Sequence, residues 1–171
     1  ETNQRDVRLS ADQEAVLVKA LPLEMQQLYL AACDTGLRRG ALCRLTEKHC
    51  DLDRRVITVP ASFQKQRKVQ KIPMTPRMVE ILTQRLRDVP SDQPLFVWNR
   101  YKWDKARRSA GLNHFRWHDL RHEFGSRLLD QRVSLPTIQR LLGHEQITTT
   151  MRYLNATDVE DEDRAAIARL G

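Results

Sequence analysis

Leu142-Gly143-His144 is followed, nine residues after the histidine, by Tyr153. Upstream lie His118-Asp119-Leu120-Arg121-His122, Thr35-Gly36-Leu37-Arg38 and a basic run around Lys65. Together these groups carry what a phenol needs to attack a phosphodiester. The diester's negative charge repels nucleophiles, and its pentacoordinate transition state gathers more charge on the nonbridging oxygens. Guanidinium groups answer that charge with a planar fork of two parallel hydrogen bonds and never lose their proton. Arg38 and Arg121 are the candidates. A free tyrosine ionises only near pH ~10, so Tyr153 needs cations and a base beside it to attack at neutral pH.

His118 and Arg121 stand three apart on an expected helix, so their side chains leave one face and reach one ligand. An imidazole titrates near neutrality and can exchange a proton with the phenol. The plain alternative for His118 is a satisfied, partly buried histidine. Gly143-His144 after Ile138, Leu141 and Leu142 has the form of a helix stop, and there the plain alternative is a ring that caps the last carbonyls. Tyr153 has polar Arg152 and Asn155 beside it and only Met151 and Leu154 as apolar neighbours, which predicts a half-exposed phenol.

The elements that must position these groups are mostly helical. Ser10 with Gln13 forms a capping box and predicts a helix over 11–20. A second helix fits 23–35, stopped by Gly36. Val56-Ile57-Thr58-Val59 and Gln70-Lys71-Ile72-Pro73 read as two strands that can pair as a hairpin. Thr75-Pro76 starts a helix over 77–88, ended by Pro90-Ser91-Asp92. Three shorter helices follow at 117–130, 135–142 and 149–155. The expected class is therefore mainly α with a small antiparallel β-sheet or hairpin.

The chain has 171 residues, enough for a single domain with its own core. Twenty-nine Lys and Arg against 22 Asp and Glu give a net charge of +7, which makes a polyanion the expected partner. The cations cluster. Residues 62–77 hold Lys65, Arg67, Lys68, Lys71 and Arg77 with no acid, and residues 100–116 hold six cations against Asp104 alone. A single charge run is commonly a solvated face, but two in one domain favour phosphate contacts, and Arg67, Lys68 and Lys71 are the expected DNA-binding set. No stretch approaches the roughly 18 apolar residues of a membrane span, and Glu1 to Asp6 do not form a signal peptide, so a cytoplasmic protein is expected. Cys33, Cys43 and Cys50 read as reduced thiols. A zinc site from Cys43, His49 and Cys50 lacks a fourth ligand.

Taken in order, these motifs resemble the catalytic domain of the tyrosine recombinase, or phage-type integrase, family. The resemblance covers residues 9–155 and rests on Thr35-Gly36-Leu37-Arg38, Lys65 ahead of Ile72-Pro73-Met74, His118 to His122, Leu142-Gly143-His144 and Tyr153. It implies a domain that cuts and rejoins DNA through a 3'-phosphotyrosyl intermediate. Tyr153 would be the nucleophile, Arg38 and Arg121 would hold the nonbridging oxygens, and Lys65 would protonate the leaving 5'-oxygen. His118 would act as base toward the phenol, and His144 would donate a hydrogen bond to the phosphate. No metal, nucleotide or other cofactor is implied. The implied partners are double-stranded DNA and further copies of the protein, as a tetramer on DNA when an N-terminal core-binding domain, expected to be absent from this chain, is present. Residues 156–171 would be a tail that packs in cis or reaches a neighbour.

Three positions depart from the family's pattern. Ala41 stands where an acid often braces the first arginine, Gln70 replaces a frequent basic residue, and Glu123 follows His122 where Ser or Thr is common. Rival readings are a type IB topoisomerase-like relaxing enzyme, a silent DNA-binding regulator, and a zinc hydrolase built on the His118/His122 spacing, in which Asp119 would replace the catalytic Glu and Glu145 would be a third ligand.

Overall fold

The computed structural model describes residues 8–151 and 167–168. Helix α1 (Ala11–Ala20) starts on the expected capping box: Gln13 N–H donates to Ser10 Oγ at 3.2 Å, and Ser10 N–H donates to Gln13 Oε1 at 2.9 Å. Helix α2 (Leu23–Thr35) is the central post of the fold. Met25, Leu28, Tyr29, Ala31, Ala32 and Cys33 are all buried along it, and it packs against α1 and three of the helices that follow. It ends at Gly36, whose φ of 63° lets its N–H close on Ala32 O at 3.0 Å.

After the four-residue α3 (Arg39–Leu42) comes a three-stranded antiparallel sheet in the order β1 (Cys50–Asp51), β2 (Val56–Val59), β3 (Gln70–Pro73). The expected pairing is thus present with a short third strand added at the edge of β2. The register sets Ile57 opposite Ile72 and Val59 opposite Gln70. Ile57, Val59 and Ile72 turn into the core, and the two-residue period carries Gln70 inward with them. Lys71, between them, faces out.

Helix α4 (Pro76–Asp88) has Thr75 as its cap, with Met78 N–H donating to Thr75 Oγ1 at 3.0 Å. Helix α5 (Arg100–Ser109) occupies a stretch that the sequence presents only as a run of charge. Asn99 caps it, and only Trp103 and Ala106, three apart, are buried on it. They suffice because Trp103 enters an aromatic cluster, with ring centroids 5.1 Å from Trp117, 6.2 Å from Phe115 and 6.5 Å from Tyr29. Aromatic pairs of this kind add about 0.5–1.5 kcal/mol each beyond area burial.

The next helix, α6 (Asp119–Asp130), begins two residues later than the pattern suggests. Leu120 N–H bonds Trp117 O and Arg121 N–H bonds His118 O, so the entry is a tight i→i+3 turn rather than α-helix. Asp119 secures it by accepting from Arg116 N–H at 2.7 Å. Helix α6 crosses the end of α2 at Gly36: a Cβ there would lie 2.3 Å from the Phe124 ring. Helix α7 (Leu135–Leu142) places Ile138 and Leu142 against Phe124 in a second, smaller core. It stops at Gly143 (φ 61°) in a Schellman arrangement, with Gly143 N–H on Arg140 O and His144 N–H on Gln139 O. Helix α8 (Ile147–Met151) follows. Tyr153 and most of the expected C-terminal tail lie outside the described residues. Among those described, no helix is long and apolar enough to cross a membrane.

Candidate active site

Two glycine turns, residues 35–38 and 142–144, carry Arg38 and His144. In the first, Thr35 Oγ1 donates to Ala31 O at 2.7 Å and accepts from Leu37 N–H at 3.2 Å. One hydroxyl therefore both ends the helix and shapes the exit. Leu37 anchors the next step in the core at 3% exposure, which leaves Arg38 as the extended cap residue of α3. Ala41 is buried and offers no acid. Arg38 Nη1 is buried with no hydrogen-bond partner among the described residues. An unsatisfied buried donor costs about 1–3 kcal/mol, more when charged, so this nitrogen is poised for an acceptor that comes from elsewhere.

Arg121 joins the two turns. The residue is only 5% exposed; Nη1 donates to Gly36 O at 2.7 Å and Nη2 donates to Leu142 O. Both carbonyls are helix-end acceptors with no partner inside their own helices. The spacing of His118, at the cap of α6, and of Arg121 and His122 in its first turn then fixes the imidazoles relative to this tie. The His118 and His122 rings meet edge to face with centroids 5.2 Å apart.

His144 is half-buried, and its Nδ1 lies 3.0 Å from Oγ1 of the fully buried Thr150 on α8. Its ring is thus engaged with the next helix rather than with the last carbonyls of α7. Burial pushes its pKa down to about 4, and the positive charges of Arg121, Arg38, His122 and His118 act in the same direction. His118 is also lowered, first by desolvation, then by His122, Arg121 and Arg38, with Asp119 opposing. The same five groups therefore act on one another electrostatically although they come from three separate stretches of chain. Both imidazoles are held toward neutrality by burial first and by the surrounding positive charge second, and that charge is suited to a bound anion.

The β2–β3 connection is the third wall. Lys65, Arg67 and Lys68 are exposed in it, and Lys71 is exposed on β3. Arg67 has a left-handed backbone, φ 51°. Between this connection and α7 lies a cleft of 670 Å³ lined by Gln64, Lys68, Gln70, Lys71, Arg140 and His144, among others. Lys68 and Lys71 line it; Lys65 does not. The structure thus brings Arg38, His118, Arg121 and His144 together and leaves Lys65 on the loop above. Sequence reasoning missed Thr150 and its hold on the His144 ring, and it saw Gln70 only as a departure.

Other groups are committed elsewhere. Glu123 pairs with Arg8 at 3.2 Å and Arg127 at 3.9 Å. His49 Nδ1 accepts from Thr46 N–H at 2.9 Å, which spends the ring on a local cap. Among the described residues no three His, Cys, Asp or Glu side chains come together as metal ligands do.

Two arginines and three imidazoles, gathered on a mainly helical domain around a buried arginine strut, make an arrangement chemically suited to an anion. Residues 7–160 match the family model described as the phage integrase family, and the chain belongs to that family. It is 31% identical over 152 residues to the tyrosine recombinase XerC of Rickettsia canadensis, a match covering 80% of this chain and 48% of that protein. The match covers between 19% and 57% of the length of these curated relatives, so the chain corresponds to part of them. Its fold is similar to that of the Tn1549 transposon integrase in complex with a circular intermediate DNA, with TM-score 0.81, 20% identity and coverage of 100% of this chain and 68% of that one. It is similar also to the catalytic domain of bacteriophage HP1 integrase, with TM-score 0.71, 20% identity and 92% coverage of both chains.

Proposed function

We propose that this chain is the catalytic domain of a site-specific tyrosine recombinase that cuts and rejoins double-stranded DNA. The observation that carries the reading is the unpartnered, buried Arg38 Nη1 beside Arg121, His118 and His144, whose charges are mutually felt.

In the proposed step Tyr153 Oη attacks the scissile phosphorus as its proton passes to His118. The P–O5' bond breaks as the phosphotyrosyl bond forms, and the leaving 5'-oxygen takes a proton from Lys65. Arg38 and Arg121 meet the charge that grows on the nonbridging oxygens. His144 is neutral near pH 7, so with Thr150 bonded at Nδ1 its other nitrogen can donate to the phosphate. The broken bond's energy is kept in the protein–DNA link, and a 5'-hydroxyl reverses the step. No part of it calls for a metal, nucleotide or other cofactor.

Arg67, Lys68 and Lys71 would hold the DNA backbone, together with Lys102, Lys105 and Arg108, which are exposed on α5. Tetramer formation on DNA by the full-length protein, with the C-terminal tail reaching a neighbour, and a cytoplasmic location belong to the same proposal. The test is a duplex nicked near the cleavage site, selected from a random pool by covalent capture. Wild-type protein should yield an adduct whose phosphopeptide contains Tyr153, and Tyr153→Phe should yield none. Failure of the wild-type protein to form any adduct would refute the reading.

A further inference from the structure

We propose that Gln70 is a positioning residue that couples the loop carrying Lys65 to the turn carrying His144, so that proton donor and phosphate ligand are set relative to each other by one buried amide. The proposal deepens the recombinase reading and rests on it.

Gln70 is 8% exposed at an inward position of β3, among Ile57, Val59 and Ile72. A polar side chain there must find partners, and it finds them on two sides. Its Nε2 donates to Arg140 O at 3.3 Å, which also accepts from Gly143 N–H, and to Leu141 O, both at the C-terminal end of α7. Its Oε1 accepts from Gln64 Nε2. Gln64 directly precedes Lys65, so the two amides close the base of the 65–69 connection as a pair of side chains across its neck. Beyond α7 the amide lies against Gly143: a Cβ on that residue would stand 3.4 Å from Gln70 Oε1.

The chemistry explains why the side chain is an amide. A lysine or arginine at 70 could donate to the α7 carbonyls but could not accept from Gln64. A leucine would strand both sets. An amide carries donor and acceptor on one planar head, so it meets the α7 carbonyls and the Gln64 Nε2 donor at once. The Arg121 bond to Leu142 O, the Gln139 bond to His144 O and the Thr150 contact also support the His144 turn, and none of these bonds involves a residue of the loop. Lys65 is exposed on a connection with no regular structure from 64 to 69, so the orientation of its ammonium depends on how that connection is held at its neck.

The experiment uses two leaving groups. With ordinary DNA the departing 5'-oxygen needs a proton. With a 5'-bridging phosphorothiolate the P–S bond breaks and a thiolate departs without one. Adduct formation is timed for wild-type protein, Gln64→Ala and Gln70→Met on both substrates. Gln64→Ala cuts only the loop side, so it should slow cleavage of oxygen DNA about tenfold or more and leave sulfur DNA within about threefold of wild type. Gln70→Met has similar length but makes none of the bonds. It should be slowed more on oxygen DNA and be rescued only in part by sulfur, because His144 is loosened as well. The idea is overturned if neither variant loses more activity with oxygen than with sulfur. Should Gln70→Met fail to fold, Gln64→Ala decides alone. Absence of a wild-type adduct is a different failure, that of the recombinase reading itself.

Discussion

Replacing Arg38 with methionine should make the protein more stable and catalytically dead. Methionine keeps an unbranched stem of similar reach, so packing beside the buried Leu37 and Ala41 is retained. What disappears is a guanidinium with a buried, unpartnered Nη1, whose cost is about 1–3 kcal/mol. Repulsion from Arg121 disappears with it. A net gain of about 1 kcal/mol follows, which in a domain of this size raises Tm by about 2–4 °C. The loss in activity is larger. A charged donor aimed at developing oxyanion charge contributes on the order of 3 kcal/mol, so adduct formation should fall about 100-fold or more. A third readout ties the two together. Arg38 is one of the charges depressing His144, so by NMR titration the His144 pKa should rise from about 4 toward its ordinary value in Arg38→Met. A variant that melts lower than wild type would show that the arginine is a structural tie, and the reasoning from its unsatisfied nitrogen would fall.

Further perturbations separate stability from function. Gly36→Ala meets both a positive φ and a contact of 2.3 Å with the Phe124 ring, so urea denaturation should show a loss of about 2–4 kcal/mol. Arg67→Gly removes a side chain from a left-handed position; stability should hold or rise by up to about 1 kcal/mol, while DNA affinity drops and the salt slope flattens by about 0.9. His144 binds its proton less readily folded than unfolded. Stability is thus full above the unfolded value of about 6.5 and is lost as pH falls toward about 4, by about 1–2 kcal/mol once solvent screening of a half-buried ring is discounted. In His144→Gln, calorimetry across that window should show a shallower decline.

The parts of the fold written in local chemistry were legible. Ser10 with Gln13, Gly36 and Gly143 fixed α1, α2 and the end of α7 because caps and stops act within a few residues. Helix α5 was not legible, since only Trp103 and Ala106 face inward and the remaining residues show charge without an apolar stripe. What holds it is an aromatic cluster drawn from residues 29 to 117, information no window along the chain contains. The same limit applies at the site. Arg38, His118, Arg121 and His144 could be named from types and spacing, but the bonds that orient them could not. Gln70 looked like a missing cation because its partners, Arg140 O and Leu141 O, are backbone atoms some 70 residues away. Thr150 is a threonine among three, chosen only by the way α8 packs.

The arginine strut gives the motif order a physical meaning. Arg121 reaches the carbonyls of Gly36 and Leu142, which lie 85 and 21 residues away, and nothing but the finished packing of α2, α6 and α7 brings them within one side chain's span. Its charge would serve the phosphate while its N–H groups cap two helix ends. A substitution at 121 therefore cannot remove charge alone. Lysine keeps the charge but has no planar fork to satisfy two divergent carbonyls, so Arg121→Lys should lower stability as well as cleavage, whereas Arg38→Met separates the two. Two arginines that look alike in the sequence thus carry opposite relations to stability: one is held by the fold and completes it, and the other keeps a buried nitrogen without a partner, which the proposed function would fill with a phosphate.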